Sequence, residues 1–338
     1  MTEKFDFNDI LIVPATTSRI SSRKNINPYH YGFLPLITAP MDTVIGPDNE
    51  MLFFNHKINT CLPRGEKSNY GWNSYSLAEM KIQYQRYSFG YEFGRFFERE
   101  KFLIDIANGH MDELVEFVKE LKTSYPSMIL MVGNIANPET YAELSNAGAD
   151  YVRVGIGNGG GCSTTVHTGV GYPMASLISE CYAESMNLAR PAKIVADGGM
   201  QTYSDIIKAL ALGADYVMVG SIFNKAIESC GDNYLWGKVK VGQGLAEFAY
   251  NHGISVEKKF RGMSTKEVQK KWGKQTLTTS EGVVRFRKVE YTLAKWVENF
   301  EAYLRSSMSY SNALTLDEFI GHAKVVRITD NAYNRFKK

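Results

Sequence analysis

The chain has 338 residues, of which 44% are hydrophobic and 22% are charged, and these proportions are typical of a soluble globular protein. Its 38 basic residues are interspersed with 36 acidic ones and leave a net charge of only +2. This balance excludes a nucleic acid or a membrane surface as a bulk electrostatic partner. The length fits one closed α/β barrel, which typically needs about 250 residues plus insertions.

The cysteines and the N-terminus predict the cellular setting. No short regular spacing joins the four cysteines, which excludes a disulfide framework and a zinc site. They are Cys61, Cys162, Cys181 and Cys230. We therefore expect a reduced, cytoplasmic protein. The first residues lack a basic region followed by an apolar run, and no apolar stretch is long enough to span a bilayer, so neither a signal peptide nor a membrane helix is expected.

Eight apolar segments predict strands, and most are followed by an amphipathic segment that predicts a helix. The predicted strands are 34–39, 58–62, a weaker candidate at 87–91, 102–105, 128–132, 151–154, 193–196 and 216–219. The predicted helices are 114–121, 138–147, 174–188, 203–212 and 293–304, with another from about 315. Strands that alternate with helices imply parallel pairing, and eight repeats fit a closed (β/α)8 TIM barrel better than an open sheet.

Polar residues end most of the predicted strands. They are Asp42, Asp105, Asn134, Cys162, Asp197 and Ser221. Because active sites of such barrels lie at the carboxyl ends of the strands, these residues predict the location of the site.

The segment 231–290 carries clustered Gly, Lys, Thr and Ser with weak periodicity, and predicts a long excursion over the mouth of the barrel. A segment of this length is usually a functional lid or a disordered loop, and a lid is favoured here. A C-terminal extension with a short strand at 325–328 follows. No internal domain boundary is evident, so residues 1–338 are expected to form a single barrel domain.

A glycine-rich turn at 153–173 joins a predicted strand to a cysteine and several hydroxyl residues. Its glycines let the backbone approach a ligand closely and adopt positive φ. Cys162 at its tip is a candidate nucleophile, although Gly157-x-Gly-x-x-Cys162 alone favours a buried structural cysteine. In the same way, Asp197-Gly-Gly199 alone fits either a ligand-binding loop or a simple turn.

A family resemblance extends these interpretations over nearly the whole chain. The sequence resembles the IMP dehydrogenase/GMP reductase family at Gly157–Thr164 and at further motifs that occur along the chain in the order found in the family. These motifs are Phe5-Asp-Phe-Asn-Asp-Ile-Leu-Ile-Val-Pro14, Met41-Asp-Thr43, Val132-Gly-Asn134, Thr168-Gly-Val-Gly-Tyr-Pro173, Ala196-Asp-Gly-Gly199, Met218-Val-Gly-Ser221, Arg261-Gly-Met-Ser264, Ser280-Glu-Gly282 and Leu304-Arg-Ser-Ser-Met-Ser-Tyr310.

The resemblance implies a (β/α)8 barrel, usually a homotetramer, in which a cysteine thiolate adds to carbon 2 of a purine nucleotide and hydride passes between that carbon and a nicotinamide. It implies that Cys162 is the nucleophile and that Thr164 assists the second half of the reaction. Backbone carbonyls around Gly157, Gly159 and Cys162 resemble the family's monovalent-cation site, which makes potassium the expected ion.

The resemblance also assigns the substrate and cofactor sites. Asp197 is expected to hold the ribose hydroxyls, and Gly199, Gly220 and Ser221 the phosphate. The full set of implied substrate residues is Asn134, Asp197, Gly198, Gly199, Gly220, Ser221, Arg261, Gly262, Met263 and Ser264. The implied cofactor residues are Asp105, Asn108, Gly109, Thr278, Arg305, Ser306 and Tyr310, of which the last three match a segment that often completes the site of an adjacent subunit.

Within the family, the resemblance is closest to the reductase. A dehydrogenase activates water with an Arg-Tyr pair on a mobile flap, whereas the interval 265–280 contains neither arginine nor tyrosine. A reductase must deliver a proton to leaving ammonia, and Glu281 with Thr164 matches that relay. The signatures at 105–109 and 168–173 also resemble the reductase. Only about 39 residues separate Leu62 from Phe102, which leaves no room for the paired regulatory module common in dehydrogenases.

The chain departs from the reductase pattern at three places. Leu62-Pro63-Arg64 stands where the reductase has a His-Lys pair, Thr278 replaces an arginine, and the stretch 231–260 is longer than the usual link. The expected cofactor is therefore NADPH with NADH as an alternative, and the substrate is GMP, a deoxynucleotide or a modified guanine nucleotide. An IMP dehydrogenase with another water activator and a nucleotide-binding protein without catalysis remain the competing interpretations.

Overall fold

The computed structural model describes residues 3–88, 100–271 and 282–336. Its strands are β1 (Ile10–Ile12), β2 (Leu36–Thr38), β3 (Trp72–Tyr75), β4 (Lys101–Asp105), β5 (Ile129–Ile135), β6 (Tyr151–Val154), β7 (Lys193–Asp197), β8 (Tyr216–Val219), β9 (Asn233–Leu235), β10 (Val239–Val241), β11 (Val256–Arg261), β12 (Val284–Lys288) and β13 (Val325–Arg327).

The helices mostly follow the strands of the central sheet. They are α1 (Pro47–Asn55), α2 (Leu77–Ser88), α3 (Asp112–Ser124), α4 (Pro138–Asn146), α5 (Thr164–Thr168), α6 (Met174–Ser185), α7 (Tyr203–Ala211), α8 (Gln243–Asn251), α9 (Lys266–Lys271), α10 (Leu293–Tyr310), α11 (Leu316–Phe319) and α12 (Asp330–Phe336). The alternation of strands and helices predicted from the sequence is confirmed from β4 through β8.

Seven strands form one parallel sheet in the order β2-β8-β7-β6-β5-β4-β3. The predicted strand at 58–62 is not a continuous strand, but it bridges both edges of this sheet. Asn59 pairs in parallel with Ile37 of β2, and Cys61 pairs in parallel with Trp72 of β3. The sheet is therefore curled, and the architecture is consistent with a TIM-like barrel.

The weak strand candidate at 87–91 is wrong as far as the structure describes it. Residues 87 and 88 end helix α2, and 89–91 lie outside the described residues. The third strand of the sheet is β3 instead, which carries polar side chains at buried positions. Asn73 accepts a hydrogen bond from the Ser68 N–H at 2.9 Å, and the Ser74 hydroxyl donates to the Leu62 carbonyl at 2.6 Å. These bonds satisfy the polar atoms, so the strand needs no apolar run.

The sheet separates two layers of core, because successive strand residues point to opposite faces. Ile37, Leu103, Met131, Val195 and Met218 belong to the inner cluster. Their neighbours along the strands pack outward against the helices. This outer cluster includes Leu36, Phe102, Ile104, Leu130, Val132, Val152, Val154, Ile194, Ala196, Val217 and Val219.

The segment after β8 contains more regular structure than its weak periodicity suggests. Its strands form a four-stranded antiparallel sheet in the order β10-β9-β11-β12, against which α8 packs. The C-terminal strand, predicted at 325–328 and observed as β13, pairs antiparallel with β1 and so joins the two ends of the described chain.

Candidate active site

A cavity of about 510 Å³ opens at the carboxyl ends of the parallel strands. Most of the predicted site residues line it. They are Asp105, Asn134, Gly157, Gly159, Cys162, Thr164, Asp197, Gly198, Gly199, Gly220, Ser221, Gly262, Met263 and Ser264. Strand ends that are far apart in sequence thus contribute to one cavity, as the barrel prediction requires.

Cys162 lies in this cavity beside a hydroxyl group. Its Sγ is 3.1 Å from Oγ1 of Thr164, the first residue of α5. The turn is held by a hydrogen bond from the Cys162 N–H to the Gly159 carbonyl at 2.9 Å. By contrast, Cys61 and Cys181 are fully buried, and burial raises the pKa of the Cys61 thiol to about 12. Cys230 is exposed but lies outside the cavity, so Cys162 is the one cysteine of the four that lines it.

Two positions in the neighbouring loops require glycine. Gly157 has φ +81°, and a Cβ built on it would lie 1.8 Å from Thr165 Oγ1. Gly198 has φ +86°, and its Cβ would lie 2.9 Å from the Gly159 nitrogen. Any side chain at these positions would push the turn at 159–162, called here the cysteine turn, away from the loop that follows β7.

A buried arginine connects the ends of three strands. Arg153, on β6, donates from Nε to Asp197 Oδ2 at 2.9 Å and from Nη1 to Asp105 Oδ1 at 2.7 Å. Burial alone would lower the pKa of Arg153, but the two carboxylates raise it overall. Asn134 adds a bond from Nδ2 to the same Asp197 oxygen at 2.8 Å. The second oxygen, Oδ1, accepts no hydrogen bond from the described residues.

The antiparallel sheet covers the cysteine turn. Gly282 forms an antiparallel bridge with Cys162, and the Val283 N–H donates to the Gly161 carbonyl at 3.0 Å. The Gly262 N–H in turn donates to the Val283 carbonyl at 3.0 Å. Glu281 itself lies outside the described residues, but the residue that follows it is paired with the cysteine.

Arg261 does not line the cavity. Its guanidinium donates to Asp42 Oδ2 at 2.6 Å and forms a salt bridge of 2.5 Å with Glu267. These hydrogen bonds raise its pKa, although burial alone would lower it. Arg261 thus ties the covering sheet to the loop after β2, while the three residues that follow it line the cavity.

The predicted cofactor residues are more dispersed. Asn108 is exposed, and Gly109 is buried with its N–H donating to the Asn134 carbonyl at 2.8 Å. Arg305, Ser306 and Tyr310 lie on α10 away from the cavity, and Arg305 pairs with Glu301 at 2.7 Å. Thr278 lies outside the described residues. Of the predicted cofactor residues that the structure describes, only Asp105 lines the cavity.

Three polar residues line the cavity without having been predicted there: Arg64, Arg153 and Gln269. The signal for Arg153 is a charge within an otherwise buried strand, two residues before Gly155. In the sequence, Arg64 stands out only as a departure from the family pattern; in the structure it pairs with Glu79 at 2.9 Å. Gln269 lies on α9 and donates to the Ser264 carbonyl at 3.1 Å, a tertiary contact that no local pattern predicts.

Several donors at one end of the cavity have no acceptor in the described chain. These are the backbone N–H groups of Gly199, Gly220 and Ser221. The Ser221 hydroxyl is likewise without a hydrogen bond to the described residues. Such a cluster of unused donors at the wall of a cavity is suited to an anionic or carbonyl-rich ligand.

No group of three or more His, Cys, Asp or Glu side chains among the described residues could hold a metal ion. None of the described helices is both long and apolar enough to cross a bilayer.

The fold and the cavity define a class of α/β proteins in which a half-buried cysteine lines a cavity at the carboxyl ends of a parallel sheet. The chain belongs to the IMP dehydrogenase/GMP reductase family, because the sequence model of the IMP dehydrogenase/GMP reductase domain matches residues 99–336. This confirms the resemblance found in the sequence.

Three relatives illustrate the match. GMP reductase 1 of Mus musculus is 31% identical over 96% of this chain and 95% of its own length. GMP reductase of Shewanella pealeana is 27% identical over 99% of this chain and 98% of its own length. Inosine-5′-monophosphate dehydrogenase of Chlorobaculum parvum is 34% identical, but over 67% of this chain and 44% of its own length. The family and these names support an oxidoreductase that acts on purine nucleotides with a nicotinamide cofactor.

Proposed function

We propose that the protein is a GMP reductase, which converts GMP and NADPH into IMP, ammonia and NADP through a covalent bond between Cys162 and carbon 2 of the purine. The observation that carries this proposal is the 3.1 Å contact between Cys162 Sγ and Thr164 Oγ1 inside the cavity. A thiol beside a hydroxyl supports the proposal, because the first could act as a nucleophile while the second moves a proton.

The chain's own residues would act in two stages. In the first, the Cys162 thiolate forms a bond to carbon 2, and the bond from that carbon to the exocyclic amine breaks. The amine leaves as ammonia with a proton delivered through Thr164 and Glu281. In the second, hydride reaches carbon 2 and the carbon–sulfur bond breaks, which returns the thiolate and yields IMP. The nicotinamide cofactor supplies that hydride.

Substrate orientation would come from the strand ends. Asp197 Oδ2 is occupied by Arg153 and Asn134, so its Oδ1 remains available to accept from ribose hydroxyls. The backbone donors of Gly199, Gly220 and Ser221 would hold the phosphate. Met263, Ser264 and Asn134 would border the base.

Residues suited to the cofactor and a cation are present. Ile106 and Ala107 line the cavity beside Asp105, and offer apolar surface for a nicotinamide ring. The carbonyls of Gly157, Gly159 and Cys162 belong to one tight turn, and a potassium ion prefers oxygen ligands of this kind. The Gly159 carbonyl already accepts the Cys162 N–H, so it would share its second lone pair with the ion.

The remaining features complete the proposal. Residues 231–290 would act as a lid within a single catalytic domain, and Asn108 and Gly109 would contact the cofactor. Thr278 would do so from the lid, and Arg305, Ser306 and Tyr310 from an adjacent subunit of a homotetramer. The absence of Arg and Tyr from 265–280 and the nearly full-length match to GMP reductases favour the reductase over the dehydrogenase.

A steady-state assay tests the role of Cys162. With GMP and NADPH, we expect the wild-type protein to consume NADPH and Cys162→Ala to reduce turnover by at least about 10³-fold, because the covalent route is lost. Cys230→Ala, at an exposed cysteine outside the cavity, is the matched control and should retain full activity. Equal activity of Cys162→Ala and wild type would exclude the covalent mechanism.

A further inference from the structure

Arg287, on β12, carries a half-buried positive charge that has no partner of opposite sign among the described residues. Its guanidinium carbon lies 4.6 Å from the centre of the Phe260 ring, a cation–π contact. Within the described part of the chain it forms neither a hydrogen bond nor a salt bridge. Burial and the nearby charge of Arg285 lower its pKa. Glu290, the nearest acidic influence, is itself paired with Lys225 at 2.9 Å.

The guanidinium reaches the edge of the cavity at Gly160. A Cβ built on Gly160 would lie 3.0 Å from Arg287 Nη2 and 3.7 Å from the Ser221 Cβ. Gly160 and Ser221 both line the cavity. The absence of a side chain at position 160 therefore leaves the space through which Arg287 approaches Ser221.

This location places a cation beside the cluster of unused donors. The N–H groups of Gly199, Gly220 and Ser221 and the Ser221 hydroxyl have no acceptor among the described residues. A half-buried arginine normally requires an anionic partner, because desolvation of the charge is otherwise uncompensated. A phosphate monoester fits both features, since its oxygens accept from backbone N–H groups and pair with a guanidinium in a bidentate manner.

We infer that Arg287 binds the 5′-phosphate of the purine mononucleotide, and that its stacking on Phe260 and the glycine at position 160 hold it in place for this purpose. The inference rests on the proposed function for the identity of the ligand. It makes β12 of the covering sheet a determinant of specificity for nucleotides over nucleosides.

The test compares GMP and guanosine as ligands of the wild type, Arg287→Met and Arg287→Lys. Dissociation constants are measured for GMP directly and for guanosine as a competitor of GMP. For Arg287→Met we expect the constant for GMP to rise about 10- to 100-fold, which corresponds to the loss of charge-assisted hydrogen bonds. The constant for guanosine should change by less than about twofold, and Arg287→Lys should lie between the wild type and Arg287→Met for GMP.

Arg285→Met is the matched control, because it removes the same charge from an exposed position two residues earlier on the strand, and its affinity for GMP should stay near that of the wild type. Equal weakening of GMP and guanosine by Arg287→Met, or an unchanged affinity for GMP, would overturn the inference.

If Arg287→Met does not fold, the same comparison of GMP and guanosine with Arg287→Lys decides. If the wild type binds neither GMP nor IMP, the proposed function fails, and the inference fails with it; a defect confined to the Arg287 variants leaves the proposed function intact.

Discussion

Arg153 is the residue on which the centre of the site depends. Its side chain is only 11% exposed, and it bridges Asp105 and Asp197, whose side chains are 19% and 17% exposed. Removing one partner from a buried ion cluster leaves the others desolvated and unpaired. Arg153 therefore stabilises the fold and keeps Asp197 in position for a ligand.

Replacement of Arg153 by methionine should lower the free energy of unfolding by about 3–5 kcal/mol, because two buried carboxylates lose their counter-charge. The measurement is urea denaturation followed by circular dichroism. Arg190→Met is the matched control, since Arg190 pairs with Asp150 at 3.1 Å but is 75% exposed, and its loss should cost no more than about 1 kcal/mol. Similar destabilisation in both variants would show that the buried ion pairs of Arg153 contribute no more to stability than an exposed ion pair does.

Lys258 is a second buried cation, and it lies inside the covering sheet. Its Nζ donates to the Ser229 carbonyl at 2.5 Å and is completely shielded from solvent. Burial lowers the pKa of Lys258 to about 8 from an ordinary value of 10.5, against the opposing influence of Cys230 and of Glu228. The folded protein therefore releases this proton at a lower pH than the unfolded chain.

This shift predicts that the destabilising effect of Lys258 on the folded protein depends on pH. Between about pH 8 and 10.5 the unfolded state binds more of this proton than the folded state does, so the contribution of Lys258 to the free energy of unfolding rises with pH. The difference in free energy of unfolding, Lys258→Met minus wild type, should fall by about 1 kcal/mol per pH unit over that window. Below pH 8 the difference should be constant. Denaturation curves at pH 7, 8, 9 and 10 measure it, and a difference that does not vary with pH contradicts the prediction.

At the scale of elements, the contact between the covering sheet and the cysteine turn depends on glycine. A Cβ on Gly262 would lie 2.1 Å from the Gly161 carbonyl oxygen, and a Cβ on Gly282 would lie 2.7 Å from the Thr265 side chain. The first clash is with a backbone atom, and the second is with a side chain whose own backbone nitrogen lies 2.9 Å away. The sheet can therefore approach Cys162 only if these positions carry no side chain.

Gly262→Ala should separate the sheet from the turn and displace Cys162. Because a shift of about 1 Å at a reacting group can cost 10²-fold in rate, we expect kcat/KM for GMP to fall by at least about tenfold. Gly244→Ala is the control: Gly244 lies in α8, and a Cβ there meets nothing within 4 Å, so activity and stability should be retained. Unimpaired activity in Gly262→Ala would mean that the sheet does not position the cysteine.

The elements that could be predicted from sequence are those whose burial follows a regular pattern. β6 and β8 have the predicted bounds, because both are short apolar strands followed by polar or glycine residues. β3 could not be found in this way, since Asn73 and Ser74 are polar yet buried through hydrogen bonds that only the tertiary structure supplies. In β11 the buried positions are Val256, Lys258 and Phe260, and the lysine hides the alternation.

The residues of the candidate site also differ in whether a sequence pattern or only a tertiary contact reveals them. Polar residues at the predicted strand ends indicated where the cavity lies, because active sites of such barrels form at the carboxyl ends of the strands. The family resemblance supplied most of the other lining residues, such as Gly220 and Met263. Arg287 could not be predicted, because its relation to Gly160 depends on the register between β11 and β12 and on a cation–π contact across strands. The same is true of Arg64, whose place in the cavity follows from the curl of the sheet.

At the scale of the whole molecule, a parallel sheet gathers the reactive groups and a separate antiparallel sheet covers them. Cys162, Asn134 and Asp197 come from three strand ends of the parallel sheet, and Met263 and Ser264 come from the covering sheet. On the proposed function, this division would let the parallel sheet hold the nucleophile while the covering sheet adds contacts to the substrate.

The most direct measurement is the identification of products from two parallel reactions of the wild-type protein, one with GMP and NADPH and one with IMP and NAD. A GMP reductase should form IMP, ammonia and NADP in equal amounts in the first reaction and no xanthosine monophosphate in the second. Xanthosine monophosphate from IMP, with GMP left unchanged, would contradict the account and identify a dehydrogenase. Tight binding of GMP or IMP with no product in either reaction would contradict it as well, and would identify a nucleotide-binding protein without catalysis.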